Sequence, residues 1–300
     1  ALVGGGLAGV SAKMILTHIV LPGQRNRFHW DTNAARSLIT FGKWIFLSTL
    51  TTFLVTQSDR LVFGKLITFE QLGVYSIAIL FAMMPTQVMM KVGSSVVFPA
   101  YSRVLEQTGK LQSTFKKTRS SLLLMGAGVI SIVIACGPYG IRVLYDERYH
   151  EAGDMLQILA IASWFQILEC TNNSAILAIG KPKWIAAGNL SKLVGLLCFM
   201  PLGYMWYGFY GAIGGLVLSE TLKYATSVYG VRRNHFRTLS TDVLMTLLLV
   251  GVSGAGVWLG RLIVEGGGGQ GGALAGVLAI LGIGWLIGAW LSPDVRSALA

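Results

Sequence analysis

The sequence predicts an all-α bundle of membrane-spanning helices, and three observations carry that prediction. First, 53% of the 300 residues are hydrophobic and only 12% are charged, about half the charge density of an ordinary globular chain. Second, the apolar residues gather into continuous runs of span length without the period-two alternation of a β-barrel strand. Third, Lys and Arg concentrate in alternate loops between those runs. Together these exclude a soluble globular domain. Intrinsic disorder is excluded as well, because it requires low hydrophobicity and high charge.

A helix needs about 20 mostly apolar residues to cross the hydrocarbon layer. Nine stretches meet this length, the first of them partial: 1–20, 37–57, 71–98, 119–141, 154–179, 183–203, 208–230, 240–263 and 272–291. The chain opens on Ala1 with no basic segment ahead of the first apolar run, so this run lacks signal-peptide form. It reads as a membrane helix entered partway, and the chain as a C-terminal piece of something longer. Pro85 and Pro138 interrupt the third and fourth spans, as kinks or cavity linings. Gly211 with Gly215, and Gly284 with Gly288, have the spacing of close helix–helix packing.

The basic residues then set an orientation. The loop 21–36 holds Arg25, Arg27 and Arg36, and the loop 99–119 holds Arg103, Lys110, Lys116, Lys117 and Arg119. The next members of this series are Lys181 and Lys183, then Arg232, Arg233 and Arg237. The intervening loops hold only Arg60, Lys65, Arg142, Arg148 and Arg261. Strict alternation of rich and poor loops places residue 1 outside and the C-terminus in the cytoplasm. Trp30 and Trp184 then sit near the inner interface, and Tyr204, Trp206, Tyr207 and Tyr210 near the outer one. The net charge of +11 is thereby mostly a topology signal, with no stripe suited to nucleic acid.

Chemistry must reside within the bilayer or in short loops, since no loop exceeds about 21 residues and there is no room for a soluble domain. Ionisable groups inside spans cost a few kcal/mol unless they meet partners or a polar cavity. Lys43, Lys91, Glu169, Lys192, Glu220 and Lys223 occupy such positions, and Asp59 and Arg60 lie at the outer end of the second span. Lys192 is ten residues beyond Pro182, roughly 15 Å along a helix. Glu220 and Lys223 share a face one turn apart and have the spacing of a self-satisfied pair. Cations on several spans suggest a water-filled cavity that attracts an anion, phosphate above all. Lys43 and Lys91 lie closer to the inner boundary, within snorkelling reach of it.

Other motifs fail on context. Gly4, Gly6 and Gly9 spell a dinucleotide fingerprint but follow no strand, and Gly266 to Gly272 lack the Lys-Ser/Thr of a phosphate loop. That glycine run reads as an external connection. Asn172-Asn173-Ser174 and Asn189-Leu190-Ser191 are glycosylation sequons by spelling only, within spans. Four scattered histidines give no metal spacing, and Cys136, Cys170 and Cys198 lie in apolar runs as small core residues. No nucleophile, paired carboxylates or cofactor site emerges, which points away from an enzyme.

Several segments, in order, resemble a known family: Gln57-Ser58-Asp59-Arg60-Leu61-Val62-Phe63-Gly64, Leu72-Gly73-Val74-Tyr75-Ser76-Ile77-Ala78 and Phe98-Pro99-Ala100-Tyr101-Ser102-Arg103. Val143 to Tyr149, Ala152 to Leu159 and Ala178-Ile179-Gly180-Lys181-Pro182 continue the series, with Asp146 standing where glycine is the family's pattern. Over residues 36–237 the chain resembles the C-terminal lobe of polysaccharide transporters. These are the oligosaccharide flippases of the multidrug/oligosaccharidyl-lipid/polysaccharide exporter superfamily. The resemblance implies two six-helix lobes around a central cavity. Residues 1–20 would be the last helix of the first lobe, 21–36 the cytoplasmic linker, 37–237 the second lobe, and 238–300 an extra helix pair with a cytoplasmic tail. It also implies transport of a polyprenyl-pyrophosphate-linked oligosaccharide across a bacterial cytoplasmic membrane, with polysaccharide assembly proteins as further partners.

On that reading Arg60, Lys91, Lys192 and Lys223, with Lys43 as a weaker member, hold pyrophosphate or acidic sugar. Asp59, Glu169 and Glu220 pair with them or carry a coupling proton. The rival readings are a peptidoglycan-precursor flippase or a small-molecule exporter of the same superfamily. A membrane-embedded glycan polymerase ranks behind them because such enzymes need a larger outer loop. A non-transporting interaction subunit is a further alternative.

Overall fold

In the computed structural model, residues 2–20, 31–267 and 269–291 are described, and all regular structure among them is helical. Nine α-helices are described: α1 (Leu2–Val20), α2 (Thr32–Leu66), α3 (Phe69–Val92), α4 (Phe98–Thr108), α5 (Gln112–Leu144), α6 (Glu151–Ala178), α7 (Lys183–Arg233), α8 (Leu239–Glu265) and α9 (Gln270–Leu291). The chain divides into two compact units, residues 1–40 and 41–300. The first comprises α1 and the opening turns of α2, where the Ala35 N–H donates to Asp31 O. The second holds the rest of α2 and all of α3 to α9.

The helices begin and end for local reasons. Thr68 and Gln71 form a reciprocal capping box at the start of α3, which satisfies two otherwise orphaned N–H groups. A π-helical turn, Gly93–Val97, joins α3 to α4 without a break, so Phe69–Thr108 runs as one 40-residue helix. The π turn routes the Phe98 N–H back to Gly93 O just before Pro99, a residue that lacks the donor needed to continue an ordinary ladder. Residues 99–108 and 112–118, expected as inner loop, are therefore helical; only 109–111 turn. Pro85 and Pro138 both lie within continuous helices.

The long helix α7 is a hairpin of two limbs. Tyr207 and Gly208 leave helical geometry, with Gly208 at φ 60° and ψ −142°, a conformation that a Cβ strongly disfavours. The limbs then run antiparallel, so Gly203 faces Gly211, Gly195 faces Ser219 and Gly230 faces Trp184. The spans expected over 183–203 and 208–230 correspond to these limbs. Trp206 and Tyr207 are 76% and 79% exposed at the hairpin tip, as interfacial aromatics should be.

The helix α6 lies at the centre, packed against α3, α4, α5 and α7, while α8 and α9 pack on α5 and on each other. The Ser163 hydroxyl donates to Ala82 O across α6 and α3 (2.7 Å), and Gln157 Nε2 to Ile134 O across α6 and α5 (2.7 Å). Trp285 Nε1 donates to Ser131 Oγ, tying α9 to α5 (2.6 Å). Gly284 abuts Val252 of α8. Asn189 on α7 donates to Ser48 and Thr52 of α2.

Among the described residues, four stretches are long and apolar enough to cross a bilayer: Phe69–Thr108, Gln112–Leu144, Lys183–Arg233 and Leu239–Glu265. Leu38–Leu54 and Gln270–Leu286 are shorter apolar helices. The centre of the bundle, α6, is not among these stretches, because the polar run from Gln166 to Ser174 lowers its hydropathy. Surrounding helices shield this run, and large apolar side chains such as Leu80, Met125, Val194, Leu218 and Leu247 face outward. That inversion suits hydrocarbon as the solvent. The chain is a multi-pass membrane protein.

Candidate functional site

The polar centre of the bundle is built where α6 meets the α7 hairpin. Glu220, on the second limb, pairs with Lys192 on the first, and Gln166 of α6 donates to the same carboxylate at 2.6 Å. One turn further along, Lys223 pairs with Glu169 of α6 at 3.3 Å, and Asn173 donates to Glu169 at 2.7 Å. The anticipated Glu220–Lys223 pair is thus replaced by two pairs between segments. The hairpin brings Lys192 opposite Glu220, while packing of α6 brings Glu169 to Lys223. Lys192 and Lys223, read as members of a cationic cavity, are each paired with a carboxylate.

The two partners of each pair differ in position. The side chains of Glu220 and Glu169 are 1% and 5% exposed, whereas those of Lys192 and Lys223 are 16% and 17% exposed. The carboxylates are sealed, while the lysine side chains are partly exposed. An ammonium at the edge of such a pair can turn its three donors toward an anion. Glu220 Oε2 and Asn173 Oδ1 are buried without a hydrogen-bond partner, as are both amide atoms of Asn172.

A third ion pair, buried on both sides, was not anticipated. Arg119 of α5 pairs with Asp242 of α8, and the two side chains are 2% and 3% exposed. Tyr224 of α7 donates to the second carboxylate oxygen at 2.6 Å, and Arg119 also donates to the Leu168 carbonyl of α6 at 3.3 Å. Four helices therefore meet on one ion pair. Trp164 extends it by donating to Thr246, which in turn donates to the Asp242 carbonyl. Arg119 is a packed group of the bundle interior and no longer counts among the inner-loop charges. The remaining charges still alternate.

Lys43 and Lys91 are exposed and outside both clusters. Lys43 lies 5.6 Å from the Trp44 ring centre, and Lys91 lies in the last turn of α3. Asp59 and Arg60 fall on α2, where their side chains lie outside the described residues. Among the described residues no three His, Cys, Asp or Glu side chains group as metal ligands. Cys136 is buried and Cys170 half-buried, but Cys198 is exposed on the outer face of α7 and is not a core residue.

Comparison with known proteins adds the family. The family model described as polysaccharide biosynthesis protein matches residues 1–154. The teichuronic acid biosynthesis protein TuaB of Bacillus subtilis is 23% identical over 154 residues, 51% of this chain and 32% of its own length. The amylovoran biosynthesis protein AmsL of Erwinia amylovora is 26% identical over 137 residues, 46% of this chain and 35% of its own. A putative O-antigen transporter of Shigella flexneri is 24% identical over 213 residues, 68% of this chain and 47% of its own. The chain thus spans between a third and a half of the length of these relatives. No solved structure matches it. An all-α membrane bundle with charges paired at its centre, matched over its first half by this model, is a member of the polysaccharide biosynthesis protein family, and its relatives include a putative O-antigen transporter.

Proposed function

We propose that this chain forms the C-terminal part of a flippase. It would carry a polyprenyl-pyrophosphate-linked oligosaccharide from the cytoplasmic to the outer leaflet of a bacterial inner membrane, as a transporter and not an enzyme. The observation that carries the reading is the pairing of partly exposed Lys192 and Lys223 with the sealed carboxylates Glu220 and Glu169 in an apolar bundle. A pyrophosphate entering from the exposed side would compete with the carboxylates for the ammonium donors, giving charge-assisted contacts without an unpaired charge in the resting state. Glu220 or Glu169, once released, is the group suited to take a coupling proton. Arg60, Lys91 and Lys43 would extend the anion path, with Asp59 beside Arg60.

In this reading residues 37–237 form the second lobe, rocking against a first lobe whose last helix is 1–20, in alternating access. Residues 21–36 link the lobes, and 238–300 add a helix pair and a cytoplasmic tail. The putative O-antigen transporter among the relatives supports the substrate class. Polysaccharide assembly proteins are the expected partners.

The test is Lys192→Ala with Lys223→Ala in the full-length protein, reading glycan export normalised to membrane protein level. Export falls by about tenfold or more if the lysines hold the anion in transit; export at the parental level contradicts the assignment. Orientation is checked with a single cysteine at Arg233 in an otherwise cysteine-free protein. It resists membrane-impermeant thiol reagents added outside, whereas labelling there reverses the topology.

A further inference from the structure

Where α6 packs on the second limb of α7, the polar residues form rungs. Gln166 meets Glu220 at the first and Glu169 meets Lys223 at the second, with 54 residues between the partners in each case. Both numbers rise together, so the two helices run parallel. One more turn along each brings Asn173 level with Ser227 at the same separation, with Asn172 beside Asn173. The helices stay together beyond this point, since Ile176 and Val231, a further turn on, belong to one buried cluster. The third rung is therefore held between contacts on both sides.

The polar groups of this rung are sealed and unmet. Asn172 is 0% exposed and Ser227 3%. Both amide atoms of Asn172, Ser227 Oγ and Asn173 Oδ1 are buried with no hydrogen-bond partner among the described residues. The other end of the Asn173 amide is fixed, because Nδ2 donates to Glu169 at 2.7 Å and an ionised carboxylate only accepts. Asn173 Oδ1 then needs a donor of its own. Asn189, on the first limb, shows the usual solution: it is also buried, but its Nδ2 donates to the hydroxyls of Ser48 and Thr52 at 2.7 and 2.9 Å.

The mixture of unmet groups selects the occupant. Asn172 Oδ1 and Asn173 Oδ1 are acceptors, Asn172 Nδ2 is a donor, and the Ser227 hydroxyl is both. A metal cation would leave the amide donor unanswered and lie one rung from the Lys223 ammonium. An anion would lie one rung from the Glu169 carboxylate. Water both gives and takes hydrogen bonds, and a buried water typically makes about three of them to groups of this kind.

We propose that the third rung is a site for internal water, which bridges Asn172 and Asn173 of α6 to Ser227 of α7. By donating to Asn173 Oδ1, the water holds that amide with its Nδ2 toward Glu169, so the Lys223–Glu169 pair is braced from the rung beside it. Asn173 is thereby a positioning residue for the carboxylate. The proposal does not depend on the flippase reading, since it concerns hydration of the bundle and not its cargo.

The experiment uses the full-length protein in lipid bilayers with isotope-labelled asparagine, and follows magnetisation passed from water to the side-chain amides by solid-state NMR. The signals of Asn172 and Asn189 are assigned by their loss in Asn172→Leu and Asn189→Leu. The site predicts transfer from water to Asn172 Nδ2 and much weaker transfer to Asn189, which is bonded to protein. Ser227→Ala removes one anchor of the water and lowers the transfer to Asn172. An Asn172 signal as dry as that of Asn189 overturns the site, and so does a transfer that Ser227→Ala leaves unchanged.

Thermal unfolding of the same samples gives a second readout. Asn172→Leu and Ser227→Ala each lower the unfolding temperature, and the double variant unfolds no lower than the weaker single variant, because a shared bridge is lost only once. Additive losses show two independent groups and overturn the bridge, as does parental stability in Asn172→Leu. If Asn172→Leu does not fold, Asn172→Ser takes its place in both measurements on the same criteria.

Discussion

Two kinds of ion pair sit inside this bundle, and the contrast between them separates structure from function. Arg119–Asp242 is sealed, at 2% and 3% exposure, and every donor or acceptor that reaches it ties in another helix. Lys192–Glu220 and Lys223–Glu169 are sealed on the carboxylate side only. The residue types fit these places. Arginine offers a fixed fork suited to permanent pairing, whereas lysine is a point charge on a flexible stem that can change partners. The sealed pair is a clasp for α5, α6, α7 and α8, and under the proposed function the partly exposed pairs are where an anion would intervene.

The sharpest way to break that distinction is Asp242→Asn, which leaves the Arg119 charge buried without its counter-ion. Removing one partner of a buried pair costs about 3–5 kcal/mol, read as a large fall in thermal unfolding temperature in detergent. Tyr224→Phe deletes the hydroxyl that donates to Asp242 and should cost about 2 kcal/mol by the same measurement, as expected for a hydrogen bond to a charged group. Gly208→Ala strains the hairpin that brings Lys192 to Glu220, with an expected cost of about 1–2 kcal/mol. The smallest effect is expected when the sealed pair is removed whole. Arg119→Met with Asp242→Leu should unfold within about 1 kcal/mol of the parent, because exchange of a buried pair for apolar groups is near neutral. Glycan export by that variant should persist; its loss would place the clasp inside the transport machinery.

Much of the bundle was legible in composition, because apolar runs of span length and alternating basic loops leave few other folds. The hairpin was legible too, from the aromatic and glycine cluster around Tyr204 to Gly211 between two apolar limbs. Residues 99–108 were not, since a polar amphipathic helix at a membrane surface has the composition of a loop. The candidate site was legible by residue and not by partner. Glu220 and Lys223 have the spacing of a helical pair, yet tertiary packing gives each a partner on another segment. Arg119 read as a loop cation because its counter-ion lies 123 residues away. A lone Asp at the start of an apolar run, as Asp242 is, was the signal that it needed a cation. The family match ends at residue 154, before Glu169, Lys192, Glu220 and Lys223, so the case for those four rests on their geometry.

The most direct test of the half-open pairs removes one whole, so that no orphaned charge confuses the result. Full-length protein carrying Lys192→Met and Glu220→Gln is compared with its parent for glycan export at matched membrane level. The expected result is parental thermal stability with export reduced by about tenfold or more. Parental stability with parental export would show that this pair, like Arg119–Asp242, only holds helices together.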